Sequence, residues 1–286
     1  MMIQRKLRNI ATPRLERGFL GEGHQAARVV GGGNFEDTDP FIVLMDDQLD
    51  LPGGAPVGGP HPHAGFETVT LVLEGDGQHW ETGSFELMTA GKGIVHTEEI
   101  TAKMRMRILQ LWLTLPPEKR WTEPFFQSIK AESVPAKQME KAEIKVYSGA
   151  SNGLTSPVIN QTPLTVVDVV LGPEGRFTQE VPATYTGFIY VIEGAVWGGG
   201  ERVVKGQVAW LDAPRQAGMT ELVLIAGAAG ARLVYYAGEP QRAPIVSYGP
   251  FIADTRADIP RLYHEYNRGR MGHVNDLPET QIVHYG

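Results

Sequence analysis

The stretch GGPHPHAGFETVTLVLEGDG, residues 58–77, decides how the chain is read. His61 and His63 stand one residue apart, immediately ahead of FETVTLVLEG (66–75), a β-branched and apolar run that ends in Glu-Gly. In extended chain, residues two apart point to the same side and lie roughly 6.6 Å apart along the strand. Two imidazoles placed in this way can converge on one cation through metal–nitrogen bonds of about 2 Å.

Outward from this stretch the same texture repeats. MRMRILQLWLTL (104–115), LTVVDVVLG (164–172), GFIYVIEGAVWGG (187–199), GQVAWLDA (206–213), TELVLIAG (220–227) and ARLVYYAG (231–238) all read as strands. The 34 glycines and 20 prolines are spread along the whole chain. Short strands at regular spacing with turn residues between them predict an all-β protein of sandwich or barrel type. TLVLEGDG near residue 70 is echoed by IYVIEGAV near residue 189. A period that long indicates a duplicated domain, not a solenoid. The reading is two antiparallel β-barrels in tandem, residues 1–136 and 137–286, divided in the polar segment IKAESVPAKQMEKAE (129–143). A tail from about Pro240 packs over them. It carries one short helix in TRADIPRLYHEYNRG (255–269), with Thr255 as N-cap and Gly269 as stop.

Composition narrows the chemistry. With 286 residues, 42% hydrophobic and 21% charged, the chain is globular and long enough for a sizeable core. A net charge of −7 argues against direct nucleic-acid binding. There is no cysteine, so thiolate ligands, disulfides and cysteine nucleophiles are excluded. The N-terminal MMIQRKLRNIATPRLERGFL has no apolar run, so neither a signal peptide nor a membrane anchor is expected. A cytoplasmic monomer is the expectation.

Of the eight histidines, at 24, 61, 63, 79, 96, 264, 273 and 284, none falls between residues 97 and 263. Only the first barrel can therefore host a histidine-based metal site, and the second is expected to be metal-free. The partner of the His61–His63 pair is MTAGKGIVHTEE (88–99), where Gly91 and Gly93 allow a tight turn and His96 and Glu98 again stand two apart. Two such pairs on facing strands make a site of three histidines and one carboxylate. That donor set suits Fe(II), Mn, Ni, Cu or Zn. Glu67 has the same parity but would lie about 13 Å from His63 on a straight strand. Glu98 is therefore favoured as the fourth ligand, and Glu67 is assigned to the surroundings of the site or to the pocket. His79 reads as an ordinary polar residue, and His24, His264, His273 and His284 as exposed ones without a part in the site. Val69, Leu71 and Leu73 read as barrel core. The glycines of VVGGGNF (29–35) and WGGGE (197–201) lack a phosphate-loop pattern and read as loop or hairpin.

With these residues in view, PHPHAGFETVTLVLEG and MTAGKGIVHTEE resemble the pirin family, two-domain members of the cupin superfamily. The resemblance continues in DPFIVLMDD (39–47), TPLTVVDVVLGPEGRF (162–177), GFIYVIEG (187–194), AGEPQRAPIVSYGPFI (237–252) and EYNRGRMG (265–272). It implies a bicupin of jelly-roll type in which only the N-terminal barrel binds metal. It further implies iron, Fe(II) foremost, held at positions corresponding to His61, His63, His96 and Glu98. The chain departs from the family pattern at Ala64, where Arg is common, and in a shorter segment between Glu74-Gly75 and Met88.

The resemblance implies quercetin 2,3-dioxygenase-type activity: cleavage of a flavonol-like aromatic substrate with O2. Glu98 would then be catalytic as well as a ligand, accepting the 3-hydroxyl proton. The alternative is a metal-dependent regulatory protein that docks a transcription factor or a metabolic enzyme without turnover. A third reading keeps the ion only as a structural staple.

Overall fold

A computed structural model describes residues 2–75, 80–214 and 217–286; His79 lies outside the described residues. The chain forms two compact β units, as the sequence predicts, but their boundaries are not sequential. One unit contains residues 2–13, Val134–Ile159 and Pro163–Pro240, and the other contains Arg14–Ser133, Asn160–Thr162 and Gln241–Gly286. All eight histidines fall in the sequence ranges of the second of these.

The expected division into 1–136 and 137–286 is thus corrected at both ends of the chain. Leu7–Ala11 pairs antiparallel with Val208–Leu211, which draws the N-terminus into the histidine-free unit. Ile282–Tyr285 pairs parallel with Phe125–Ile129, and Gly272–His273 with Ile94–His96, so the tail completes the histidine-bearing unit. Edge strands this short gain their stability from backbone pairing, and their own sequences name no partner.

The histidine-bearing unit sets an eight-stranded sheet beside a three-stranded one. In spatial order the large sheet runs Ile282–Tyr285, Phe125–Ile129, Phe85–Thr89, Phe66–Glu74, Met104–Thr114, Phe41–Leu51, His24–Val30 and Leu15–Arg17. The small sheet holds His61–His63 and the strands from Ile94 and Gly272. Alternation along Phe66–Glu74 sends Val69, Leu71 and Leu73, all buried, to one face, as expected of core. Thr68, Thr70 and Val72 go to the other, where they sit opposite Trp112, Gln110 and Ile108.

The histidine-free unit is a ten-stranded sheet around an apolar core that includes Val167, Phe177, Val191, Leu224 and Leu233. The predicted strands 220–227 and 231–238 are one strand, Met219–Gly238. Its first half pairs with Arg176–Pro182 and its second with Leu164–Leu171. The intervening Gly-Ala-Ala-Gly makes no turn. Gly230, at φ +76°, takes up the irregularity where the facing strand bulges at Gly194. The WGGGE segment is a hairpin, as read, with Gly199 and Gly200 both at positive φ.

The helix runs Asp258–Asn267, three residues later than Thr255. Thr255 donates its backbone N–H and its hydroxyl to the Asp258 carboxylate, so it acts ahead of the helix, and Gly269 closes it at φ +65°. No helix of the described residues is long and apolar enough to cross a membrane.

Candidate metal centre

His61–His63 and Ile94–His96 pair antiparallel, with His61 directly opposite His96. Alternation then puts His63 on the same side. The three histidines each offer a ring nitrogen, and those nitrogens lie within 4.8 Å of one another. The turns that deliver them depend on glycine. Gly65 stands at φ +84°, and an added Cβ would fall 1.8 Å from the carbonyl oxygen of Ile252. Gly93, at φ +135°, makes room for Met271.

The ring tautomers follow from their partners. His61 Nδ1 lies 2.9 Å from the Gly59 carbonyl and His63 Nδ1 lies 3.4 Å from that of Pro250. A carbonyl only accepts, so both Nδ1 atoms carry a proton, the tautomer that leaves Nε2 as the lone-pair nitrogen of a neutral ring. Burial drives the His63 pKa down to about 3, helped by His61, and that of His96 to about 2, helped by His63 and His61. Both rings are neutral near pH 7, the state a metal requires.

His61 Nε2 and His96 Nε2 stand 2.7 Å apart. Two nitrogens bound at right angles to one ion, each about 2.1 Å from it, would be about 3 Å apart. The donor set and its spacing therefore fit a transition-metal ion, and the partners on Nδ1 are of the kind that orient metal-bound imidazoles.

Glu98 borders the same place without joining the cluster of three. The strand ends at His96, and the chain continues with Glu98 N–H donating to the Gly58 carbonyl at 3.0 Å. Its carboxylate accepts from Gln110 Nε2 at 3.2 Å. Burial raises its pKa, while His61 and the Gln110 bond pull it back. The site opens into a cavity of about 510 Å³ whose lining includes Phe19, Leu20, Glu98, Gln110, Trp112 and Pro250. Trp112 and Phe66 both pack on His63, each with ring centroids 5.1 Å away.

Two assignments are corrected. Glu67 is not beside the metal site: it is fully buried and accepts from Thr89 Oγ1 at 2.8 Å and from the Gln161 N–H at 3.0 Å. Parity does not carry from His63 to Glu67 because the chain bends at Gly65 between two separate strands. His24 is not exposed. It is 2% accessible, accepts the Leu20 N–H at Nδ1 and holds Asp47 through Nε2 at 2.8 Å. His264 is exposed, His284 pairs with Ser128, and His273 meets Thr97 Oγ1 at 2.9 Å, between His96 and Glu98 in sequence. Gln110, Gly59 and Pro250 carried no signal. Two of them act through backbone carbonyls that any residue supplies.

Comparison with known proteins places this geometry. A model described as Pirin matches residues 23–113, and one described as the pirin C-terminal cupin domain matches 166–272. Pirin-like protein 2 of Arabidopsis thaliana is 32% identical over 266 residues, spanning 88% of this chain and 81% of that one. The chain belongs to the pirin family. Among solved structures, a protein of Geobacillus kaustophilus matches at 32% identity and a TM-score of 0.76, over 85% of this chain and 100% of its own. A structure titled quercetin 2,3-dioxygenase, from Acinetobacter baumannii, matches at 27% identity and a TM-score of 0.80, over 93% and 98%. The bicupin fold read from the sequence is the observed one.

Proposed function

We propose that this pirin-family chain is a mononuclear metal-dependent dioxygenase of the quercetin 2,3-dioxygenase type. Fe(II) would be held by His61, His63, His96 and Glu98, and a flavonol-like aromatic substrate would occupy the adjoining cavity. The observation that carries this reading is the set of three imidazoles gathered at one point, with His61 and His63 on the wall of a cavity of about 510 Å³. The structural likeness to a protein titled quercetin 2,3-dioxygenase supports the substrate class.

The ion, when bound, supplies Lewis acidity and redox capacity toward O2. The chain's own residues do the rest. Trp112 and Leu20 give the cavity apolar walls for a planar ring, and His63 is held against Trp112. Glu98 sits where it can take the proton of a substrate hydroxyl. Burial makes it a stronger base than a free carboxylate, and Gln110 holds it in place.

Aerobic assay of the iron-loaded protein with quercetin tests the reading, beside His61→Ala and Glu98→Ala. Turnover that collapses in both variants supports it. Full iron occupancy without turnover removes the enzyme and leaves the regulatory reading, in which the metal state alters a surface for a protein partner.

A further inference from the structure

A second cavity, of about 620 Å³, borders His96 and Glu98, and Glu98 is the one described residue lining both cavities. Sheet register fixes one of its walls. Cross-strand pairing sets Gln110, Thr70, Glu86, Ser128 and His284 in one row across five strands. The neighbouring row holds Thr68, Met88, Phe126 and Ile282. Glu86 therefore stands mid-sheet beside an apolar row. Among the described residues its carboxylate has neither a hydrogen bond nor an ion pair.

The lining holds three carboxylates, Glu86, Glu98 and Glu99, and no lysine or arginine. Its other walls include Met104 and Trp80. Of the three, Glu86 is the one carried on a strand of the sheet, beside the apolar row. A carboxylate set beside aromatic and thioether side chains suits a cation with an apolar body, since ring faces also attract cations.

We propose that this cavity binds a small organic monocation, an amine on an apolar or aromatic body, with its charge at Glu86 and its body against Met88 and Phe126. The site is independent of the dioxygenase reading. Burial first, and Glu98 second, push the Glu86 carboxyl up to about 7. A bound ammonium supplies the counter-charge that would keep it ionised.

The probes are benzylamine and benzyl alcohol, titrated calorimetrically into the full-length protein at about pH 8, where the amine is cationic and a group of pKa near 7 is ionised. Benzylamine should bind saturably, about tenfold or more tighter than the alcohol, as a charge-assisted hydrogen bond warrants. Glu86→Gln should cost the amine about tenfold and leave the alcohol unchanged, with metal content unaltered. Phe126→Leu, which removes the ring and keeps the wall apolar, should weaken both. Equal binding of the two probes, no saturable binding, or an unchanged amine affinity in Glu86→Gln each overturns the proposal. The ratio in the parent decides the matter even if a variant fails to fold. Neither O2 nor a flavonol enters the measurement, so a protein without turnover can still pass.

Discussion

His63→Leu separates the cost of the metal centre from its use. The ring is 4% exposed, packed against Phe66 and Trp112, and among the described residues its one hydrogen bond is the long contact to Pro250. Leucine brings apolar burial of about 1.5–2 kcal/mol and loses a bond of about 1 kcal/mol. The metal-free variant should therefore be as stable as the parent near pH 7, or slightly more.

Acid widens the gap. The folded pKa lies below the unfolded value of 6.5, so the unfolded state takes up the proton first. Stability from the neutral ring is present above pH 6.5 and is lost toward pH 3 at about 1.4 kcal/mol per unit. Near pH 5 the variant should lead by about 2 kcal/mol.

Metal reverses the order. Zn(II) at about 100 times its Kd adds about 2.7 kcal/mol to the parent, on the order of 5–10 °C in Tm for a domain of this size. With one of three imidazoles gone, the same concentration should shift the variant by about 1 °C or less. Scanning calorimetry with and without Zn(II), at two pH values, measures all of this. A metal-induced shift that survives in His63→Leu would refute the ligand assignment. A metal-free variant much less stable than the parent would refute the claim that the ring is kept at a cost.

Arg120 is fully buried, with Nε on Asp254 at 2.8 Å and Nη1 on the Gly65 carbonyl and Thr114 Oγ1. Arg120→Met should cost about 3–5 kcal/mol by urea unfolding; Asp254→Asn, whose side chain is 30% exposed, should cost about 1 kcal/mol. A loss under about 1 kcal/mol for Arg120→Met would remove the residue as a clamp. Gly65→Ala places a Cβ against the Ile252 carbonyl at a positive φ, so it should destabilise by at least about 2 kcal/mol and weaken Zn(II) binding with it. Unchanged Zn(II) affinity would mean that the bend does not position His63. Glu86 has its folded pKa raised above the carboxylate value, so its contribution is fully present below pH 4.5 and is lost as pH rises through about 7. Glu86→Gln should be near neutral at pH 4.5 and stabilising by about 3 kcal/mol at pH 8, and the reverse order in thermal unfolding would contradict that burial.

His61 and His63 are legible because the pair is encoded locally: two residues apart on a strand means one face, whatever the strand later pairs with; the rule does not extend from His96 to Glu98, because that strand ends at His96. Glu67 marks the limit of that rule. Its parity was counted through Ala64-Gly65, where the backbone bends and β-alternation is reset. The burial of His24 is not legible because HQAARVV does not read as a strand, although alternation buries His24 and Ala26 and exposes Gln25 between them. Met219–Gly238 reads as two strands because Gly-Ala-Ala-Gly mimics a turn; pairing along both halves overrides that weak local signal. The duplication was legible in the Glu-Gly echo, but the exchange of chain ends was not.

That exchange bears directly on the metal centre. Residues after Pro240 supply the Pro250 carbonyl to His63, a bridge from Phe251 to Ala64, an N–H from Ile252 to the Ala64 carbonyl, and a parallel strand beside Ile94–His96. Every one of these contacts ends on a backbone group of the tail. Side-chain identity encodes which residues can bind a metal, so the ligands stand out in the sequence. Backbone groups encode how those ligands are aimed, and nearly any residue could provide them. Ala64 joins the two layers. It is fully buried against Phe251, so a long charged side chain at that position would have to displace the segment that sets the His63 tautomer. The small residue there is matched to the close approach of the tail, and through it to the orientation of the imidazole two residues before the bend.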